Sequence, residues 1–115
     1  MPSPRITIQT IEVLSAMLGS PYEQWYGLEL AKAAGLKPGT IYPALARLEN
    51  AGWLSSYWEE VDPKEIGRPR RRLYRLTGEG ADSARHVVDE HLQRLATVRD
   101  GVGRLGLRPE GRTIT

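Results

Sequence analysis

The chain has 115 residues, enough for one domain with a modest hydrophobic core. It contains no cysteine, which excludes disulfides and thiolate metal sites, and no apolar run approaches the roughly 20 residues of a membrane span. No signal peptide is visible and the net charge is only +2, so we expect a cytoplasmic protein.

The first part of the chain predicts two helices in close succession. Residues 7–18 carry a broad apolar side, which includes Ile8 and is typical of a surface helix, and residues 22–25 predict a short connection. Residues 27–34 predict a second helix, and Gly35 is its expected C-terminal cap. A third helix begins almost at once after Gly35, and so tight a turn between two helices is typical of a helix-turn-helix.

The segment from Lys37 to Gly52 predicts the third helix. Pro38 suits the first helical position, and Gly52 suits the left-handed residue just past the end. One stripe is apolar, whereas the opposite face is unusually small and consists of Gly39, Pro43, Ala46, Arg47 and Asn50. Such a face would let another backbone approach closely. Arg47 is its one side chain suited to binding a guanine edge.

The chain after Gly52 changes to a strand pattern. Residues 53–60 predict a strand, residues 61–69 a loop and residues 71–76 the returning strand, which together form a hairpin. Residues 64–75 contain six Lys and Arg against one Glu, a local charge of +5. This asymmetry favours an anionic partner at the hairpin tip, and a solvated charged hairpin is the alternative.

Thr77 is predicted to cap a fourth helix that runs to about Asp100, where Gly101 and Gly103 end it. Its apolar residues recur in steps of three and four. The helix either folds back on its own domain or packs against the same helix of a second copy, which fits better because a long isolated helix needs a partner face. The predicted dimerisation residues are Ala84, Val88, His91, Leu92, Leu95 and Val98.

The order helix, helix, helix, strand, basic loop, strand, helix is that of a winged helix-turn-helix. The expected fold class is therefore α+β and mainly helical. We expect a DNA-binding domain at residues 1–76, a C-terminal dimerisation helix at 77–100 and a flexible tail at 101–115. In this arrangement the third helix enters the major groove, and arginines at the wing tip meet phosphates or a minor groove.

Two motifs resemble those of the PadR family. The third helix opens with Pro38-Gly39-Thr40-Ile41-Tyr42-Pro43, which is similar to the start of that family's recognition helix. The hairpin contains Gly67-Arg68-Pro69-Arg70 and then Leu73-Tyr74-Arg75-Leu76-Thr77 and Gly80, which is similar to its wing and return strand. The match covers about residues 11–80. Leu28 and Lys37 stand where the family often has Tyr and Ser.

The resemblance implies a homodimeric transcriptional regulator, usually a repressor, with the C-terminal helix in the dimer interface. It also implies a flat, hydrophobic effector bound near that interface. Tyr42 would contact a phosphate, with a tyrosine packed beside the wing as the alternative. Thr40 would bind a phosphate or cap its own turn. Arg71 and Arg72 are expected to point to opposite faces, so that only one faces DNA. The predicted DNA-binding residues are Lys37, Thr40, Tyr42, Arg47, Arg68, Arg70 and Arg72.

The sequence thus predicts a sequence-specific, DNA-binding regulator that acts as a homodimer, and the family resemblance implies that it is a repressor. The alternative is a winged-helix module that binds an acidic partner protein through its basic wing. An enzyme is not expected, because the sequence offers no nucleophile–base pair, metal spacing or phosphate loop. His86 and Glu90 lie at i and i+4, but two ligands are too few for a metal site, so no metal or cofactor is predicted.

Overall fold

The structure is a computed structural model that describes residues 4–104. Five helices and three strands follow one another within that range: α1 (Ile8–Leu18), β1 (Trp25–Tyr26), α2 (Gly27–Ala34), α3 (Pro38–Asn50), β2 (Leu54–Trp58), α4 (Pro63–Ile66), β3 (Arg72–Leu76) and α5 (Gly78–Arg104). The predicted fold class is confirmed, since a mainly helical winged helix-turn-helix is followed by a long C-terminal helix. No helix within residues 4–104 is both long and apolar enough to cross a membrane.

The hydrophobic core lies between the first three helices, the wing strands and the start of α5. Its fully buried side chains include Val13, Leu14, Leu30, Ile41, Leu45, Leu48 and Ala84. Ile8 was predicted to join the apolar side of α1 but is 64% exposed. The reason is geometric: Thr10 faces the core, and two residues turn a helix by about 200°.

The ends of α2 and α3 follow the local sequence signals, as predicted. Pro38 occupies the first turn of α3, and the tight turn before it contains Gly35 with φ +70°. Gly52 follows α3 with φ +81°, in the left-handed region that glycine enters without a steric cost. The Leu36 N–H donates to the carbonyl oxygen of Ala31 at 2.8 Å and so closes α2. These caps fix the angle at which α3 leaves the turn.

The sheet has three strands in the order β1-β3-β2, and both pairs are antiparallel. β1 was predicted to be an irregular connection, which is wrong, because Trp25 pairs with Tyr74 of β3. A strand of two residues is too short to show an alternating pattern. The wing loop also contains a short helix, α4, which Asp62 caps by accepting from the Lys64 N–H at 2.9 Å.

Thr77 caps α5, as predicted: its hydroxyl accepts from the Gly80 N–H at 2.9 Å. The predicted end of the helix near Asp100 is wrong, because α5 continues through Gly101 and Gly103 to Arg104. A glycine inside a helix costs only about 1 kcal/mol and does not force an end. The predicted flexible tail therefore overlaps α5 at residues 101–104, and the rest of it lies outside the described residues.

Candidate nucleic-acid interface

The outward face of α3 is small and exposed. Ile41, Ala44, Leu45 and Leu48 face the core, whereas the exposed positions are Gly39, Thr40, Tyr42, Pro43, Ala46 and Asn50. A Cβ added to Gly39 would meet no described atom within 4 Å, so this face has open space above it. The Thr40 side chain lies on this open side, and its backbone N–H donates to the Lys37 carbonyl oxygen at 2.9 Å.

Tyr42 is partly packed and partly exposed, and its predicted contact with a phosphate stays a prediction. Its ring lies against the backbone of Gly27, and a Cβ at residue 27 would meet the ring Cζ and Oη at 2.8 Å. The side chain is nevertheless 44% exposed. The sequence analysis missed Gly27 as a contributor to this surface, although a glycine at the first position of a helix is a signal of close approach.

Two further predicted contacts belong to α3: Lys37 is the residue just before the helix, and Arg47 lies in its last turn. Lys37 is exposed and precedes the helix without a side-chain cap among the described residues, which is the expected result of Lys in place of Ser. Arg47 is half-buried, and its Nε has no hydrogen-bond partner within residues 4–104. Its stem therefore packs against the fold, in contrast to the exposed neighbour Ala46.

Glu59 and Arg68 hold together the loop that connects the two wing strands. The Arg68 Nη1 and Nη2 donate to Glu59 Oε1 and Oε2 at 2.7 and 3.1 Å, and the Arg71 backbone N–H donates to Oε1 at 2.8 Å. The guanidinium of Arg68, followed by the Arg71 N–H, lowers the pKa of Glu59 from 4.5 to about 2. Arg68 thus shapes the wing. The sequence analysis missed Glu59, because the pairing depends on the register of the hairpin.

Arg70 lies exposed at the wing tip, where its Nε donates to the Val61 carbonyl oxygen at 2.8 Å. Arg72 lies between the wing and α3. Its Nε donates to the Ser56 hydroxyl at 3.1 Å, and its Nη2 lies 3.9 Å from Glu49 of α3. The Ser56 hydroxyl in turn donates to Glu49. This network connects both wing strands to the recognition helix.

The prediction that Arg71 and Arg72 point to opposite faces is wrong. The Arg71 guanidinium lies 4.1 Å from the ring centroid of Tyr26, and that of Arg72 lies 5.2 Å from the ring centroid of Trp58. Both arginines nevertheless line one cavity.

That cavity, here called the wing groove, has a volume of about 950 Å³ and lies between α2, Tyr42 and the wing. Aromatic and cationic side chains dominate its walls: Trp25, Tyr26, Tyr42, Trp58, Tyr74, Lys32, Arg70, Arg71 and Arg72. Three of these residues, Tyr42, Arg70 and Arg72, are predicted DNA contacts. The groove therefore opens on the same side of the molecule as the candidate DNA-binding surface.

The predicted dimerisation residues on α5 divide into two groups. Ala84 is fully buried in the core of its own chain, so its assignment to a dimer interface is corrected, and Val88 packs against the same core. Farther along, Leu92, Leu95 and Val98 are 57%, 53% and 60% exposed. The start of α5 folds back on its own domain, and an exposed apolar stripe begins only after His91, which is half-buried.

The family model of the transcriptional regulator PadR-like family matches residues 22–86. No curated protein has a significantly matching sequence. Among solved structures, a PadR family transcription regulator from Clostridium difficile R20291 is similar with 28% identity and a TM-score of 0.56, over 83% of this chain and 96% of that chain.

Two more distant structures share the fold. A variant of Lactococcus lactis ZitR has 15% identity and a TM-score of 0.63, over 90% of this chain and 65% of that chain, so this chain spans less than two-thirds of its length. Bordetella bronchiseptica BpsR, whose DNA binding is regulated by 6-hydroxynicotinic acid, has 21% identity and a TM-score of 0.61, over 95% of this chain and 73% of that chain.

Proposed function

The chain belongs to the PadR-like family of transcriptional regulators, and from this premise we propose that it is a homodimeric repressor that binds double-stranded DNA. In this proposal α3 enters the major groove and the wing lies on the adjacent backbone or minor groove. The family supplies the general role, and the geometry of the chain supplies the assignment of individual side chains.

One observation carries the proposal: the small, exposed face of α3 and the arginine-rich wing lie on the same side of the molecule. Gly39 and Ala46 leave room for base edges, and the exposed Arg70 at the wing tip lines one cavity together with Tyr42 of α3. Exposed arginines next to a helix with a small face suit the phosphates that flank the major groove of DNA. The DNA-binding residues are proposed to be Lys37, Thr40, Tyr42, Arg47, Arg70 and Arg72, with Arg68 acting through the shape of the wing.

The second half of α5 is proposed as the dimer contact. Exposed large apolar side chains on one stripe favour burial against another surface, and a second copy of the same stripe is self-complementary. The proposed residues are His91, Leu92, Leu95 and Val98, whereas Val88 packs against the core of its own chain. A two-fold dimer presents two recognition helices, so the operator should contain two related half-sites.

A small hydrophobic effector is proposed to release the DNA. The support is the regulation of BpsR by 6-hydroxynicotinic acid, a small aromatic acid, in a protein of the same fold. The effector would shift the equilibrium only if it binds the DNA-free form more tightly than the DNA-bound form.

The test begins with selection of bound fragments from the source genome and continues with affinity measurements over a salt series. Each neutralised phosphate should lower the logarithm of affinity by about 0.9 per unit of log salt. A dimer with several arginines per wing should therefore show a steep slope. A flat slope, or no selected duplex, would contradict the proposal and favour a wing that binds an acidic protein.

A further inference from the structure

We propose that the wing groove binds a small planar aromatic anion, and that this ligand excludes DNA directly by occupying the same side chains. The inference rests on the proposed function and locates the effector on the DNA-facing side of one chain. It differs from an effector bound near the dimer interface, which would act on DNA at a distance.

The walls of the wing groove offer flat aromatic surfaces. Trp58 is 56% exposed and Tyr42 is 44% exposed, although large aromatic side chains are normally more fully covered. Both line the groove together with Tyr26. A planar aromatic ring that stacks on an exposed face of Trp58 or Tyr42 gains stacking as well as apolar burial.

The charge of the groove selects an anion. Four cationic side chains, Lys32, Arg70, Arg71 and Arg72, face one carboxylate, Glu29. That carboxylate already accepts from the Tyr26 N–H at 3.3 Å, where it caps α2. The groove is therefore complementary to a carboxylate, which arginine binds through paired hydrogen bonds.

Arg71 is the best placed of these cations. Stacking on Tyr26 at 4.1 Å holds its guanidinium at the wall of the groove. Within residues 4–104, no carboxylate lies within salt-bridge distance of it, in contrast to Arg68 and Arg72. A guanidinium that is held in place and not yet paired loses little side-chain entropy on binding an anion.

The size of the groove fits a small molecule. Its volume of about 950 Å³ lies at the upper end of the range for ligand pockets, roughly 300–1,000 Å³. Tyr42, Arg70 and Arg72 belong both to this groove and to the proposed DNA-binding set. A ligand in contact with them would occupy the positions that a DNA phosphate needs, so the two should bind in mutually exclusive fashion.

The binding test uses naphthoate as the probe and isothermal titration calorimetry of the full chain. Naphthoate should bind, whereas naphthamide, which lacks the charge, and cyclohexanecarboxylate, which lacks the ring, should bind at least about tenfold more weakly, equivalent to 1.4 kcal/mol. Equal binding of all three probes, or no binding of naphthoate, would overturn the inference.

Matched variants locate the site. Arg71→Leu should weaken naphthoate binding about tenfold, equivalent to 1.4 kcal/mol. Arg75→Leu removes an exposed arginine that lies outside the groove on β3 and should leave binding unchanged. Trp58→Ala, which truncates an exposed side chain, should also weaken binding without opening the core. Unchanged binding in both Arg71→Leu and Trp58→Ala would place the ligand elsewhere.

The competition test separates this inference from the proposed function. DNA affinity is first measured without naphthoate. A failure to bind DNA in that measurement would overturn the proposed function itself. If DNA binds, increasing concentrations of naphthoate should raise the apparent dissociation constant for DNA without reaching a plateau. A shift that reaches a plateau, or no shift, would overturn only the inference, since it shows that DNA and ligand bind together.

Discussion

The ring of Tyr42 on α3 lies against the backbone of Gly27, the first residue of α2, with no room for a side chain between them. This contact sets the direction in which Tyr42 leaves α3, on the side that faces the wing groove. The first residue of α2 thus controls a side chain of the proposed DNA-binding surface without touching DNA.

Gly27→Ala should weaken DNA binding while the free energy of unfolding changes by no more than about 1 kcal/mol. The new methyl group meets the far end of an exposed side chain, which can rotate away. Fluorescence anisotropy and denaturant unfolding measure the two effects. The double variant with Tyr42→Ala should bind DNA no more weakly than Tyr42→Ala alone. Additive losses would mean that Gly27 acts independently of Tyr42.

Gly80→Ala, in contrast to Gly27→Ala, should lower the free energy of unfolding by about 3 kcal/mol. A Cβ at residue 80 would meet the backbone Cα and C of Trp53 at 2.6 Å, with the carbonyl oxygen closer still, and backbone cannot rotate away. Gly78→Ala is the matched control, because a Cβ there meets no described atom within 4 Å. It should leave stability unchanged or raise it by up to about 1 kcal/mol. Equal effects of the two variants in denaturant unfolding would refute the close approach.

Glu59 should titrate with a midpoint near pH 2, since hydrogen bonds from Arg68 and from the Arg71 N–H favour its ionised form. A lowered pKa adds stability above the unfolded value of 4.5, and that stability is lost as the pH falls from 4.5 towards 2. Acid unfolding of the native chain should therefore be steeper over this range than that of Glu59→Gln. Carbon-detected NMR of the carboxyl group gives the midpoint directly, and Arg68→Ala should raise it. A midpoint that stays near 4.5 in the native chain would show that the pair does not form in solution.

Leu95→Asp should convert the dimer to a monomer, because it places a charge at the centre of the exposed stripe on α5. Leu28→Asp is the matched control, since both leucines are 53% exposed and Leu28 lies on α2. Sedimentation velocity distinguishes the two species. A dimeric Leu95→Asp variant would assign the dimer contact to another surface. The monomer should still bind naphthoate, because the wing groove is built from one chain.

Arg70→Ala and Arg47→Ala should change DNA binding in different ways. Loss of Arg70 from the wing tip should weaken binding to all duplexes alike and reduce the salt slope by about 1. Loss of Arg47, which is half-buried on α3 and is proposed to bind guanine, should also relax sequence preference, since a guanine contact is worth about 1–3 kcal/mol. Competition between the operator and a scrambled duplex measures both. Equal loss of preference in the two variants would contradict the division of roles.

The features that the sequence predicted well are those set by local chemistry. Gly35, Pro38 and Thr77 each mark a helix end through a conformation or a hydrogen bond that involves only near neighbours. The small face of α3 is equally local, because helical spacing places Gly39 and Ala46 away from the buried Ile41 and Leu45. Such features need no knowledge of the rest of the fold.

The features that the sequence did not predict depend on distant contacts. Trp25 becomes part of a strand only because Tyr74 lies beside it. Periodicity along α5 showed that Ala84 is covered, but it could not distinguish cover by the same chain from cover by a second copy. The pairing of Glu59 with Arg68 and the cavity that Arg71 and Arg72 share both depend on how distant segments of the chain pack together.

The network of Glu49, Ser56 and Arg72 connects the recognition helix to both wing strands. The third helix, α3, and the wing should consequently move as one rigid unit when the protein binds DNA. Operators whose half-sites differ in separation would then have to be accommodated by α5, whose 27 residues extend about 40 Å at 1.5 Å per residue. Bending of α5, and not a change of angle between α3 and the wing, would determine how much variation in half-site spacing the regulator tolerates.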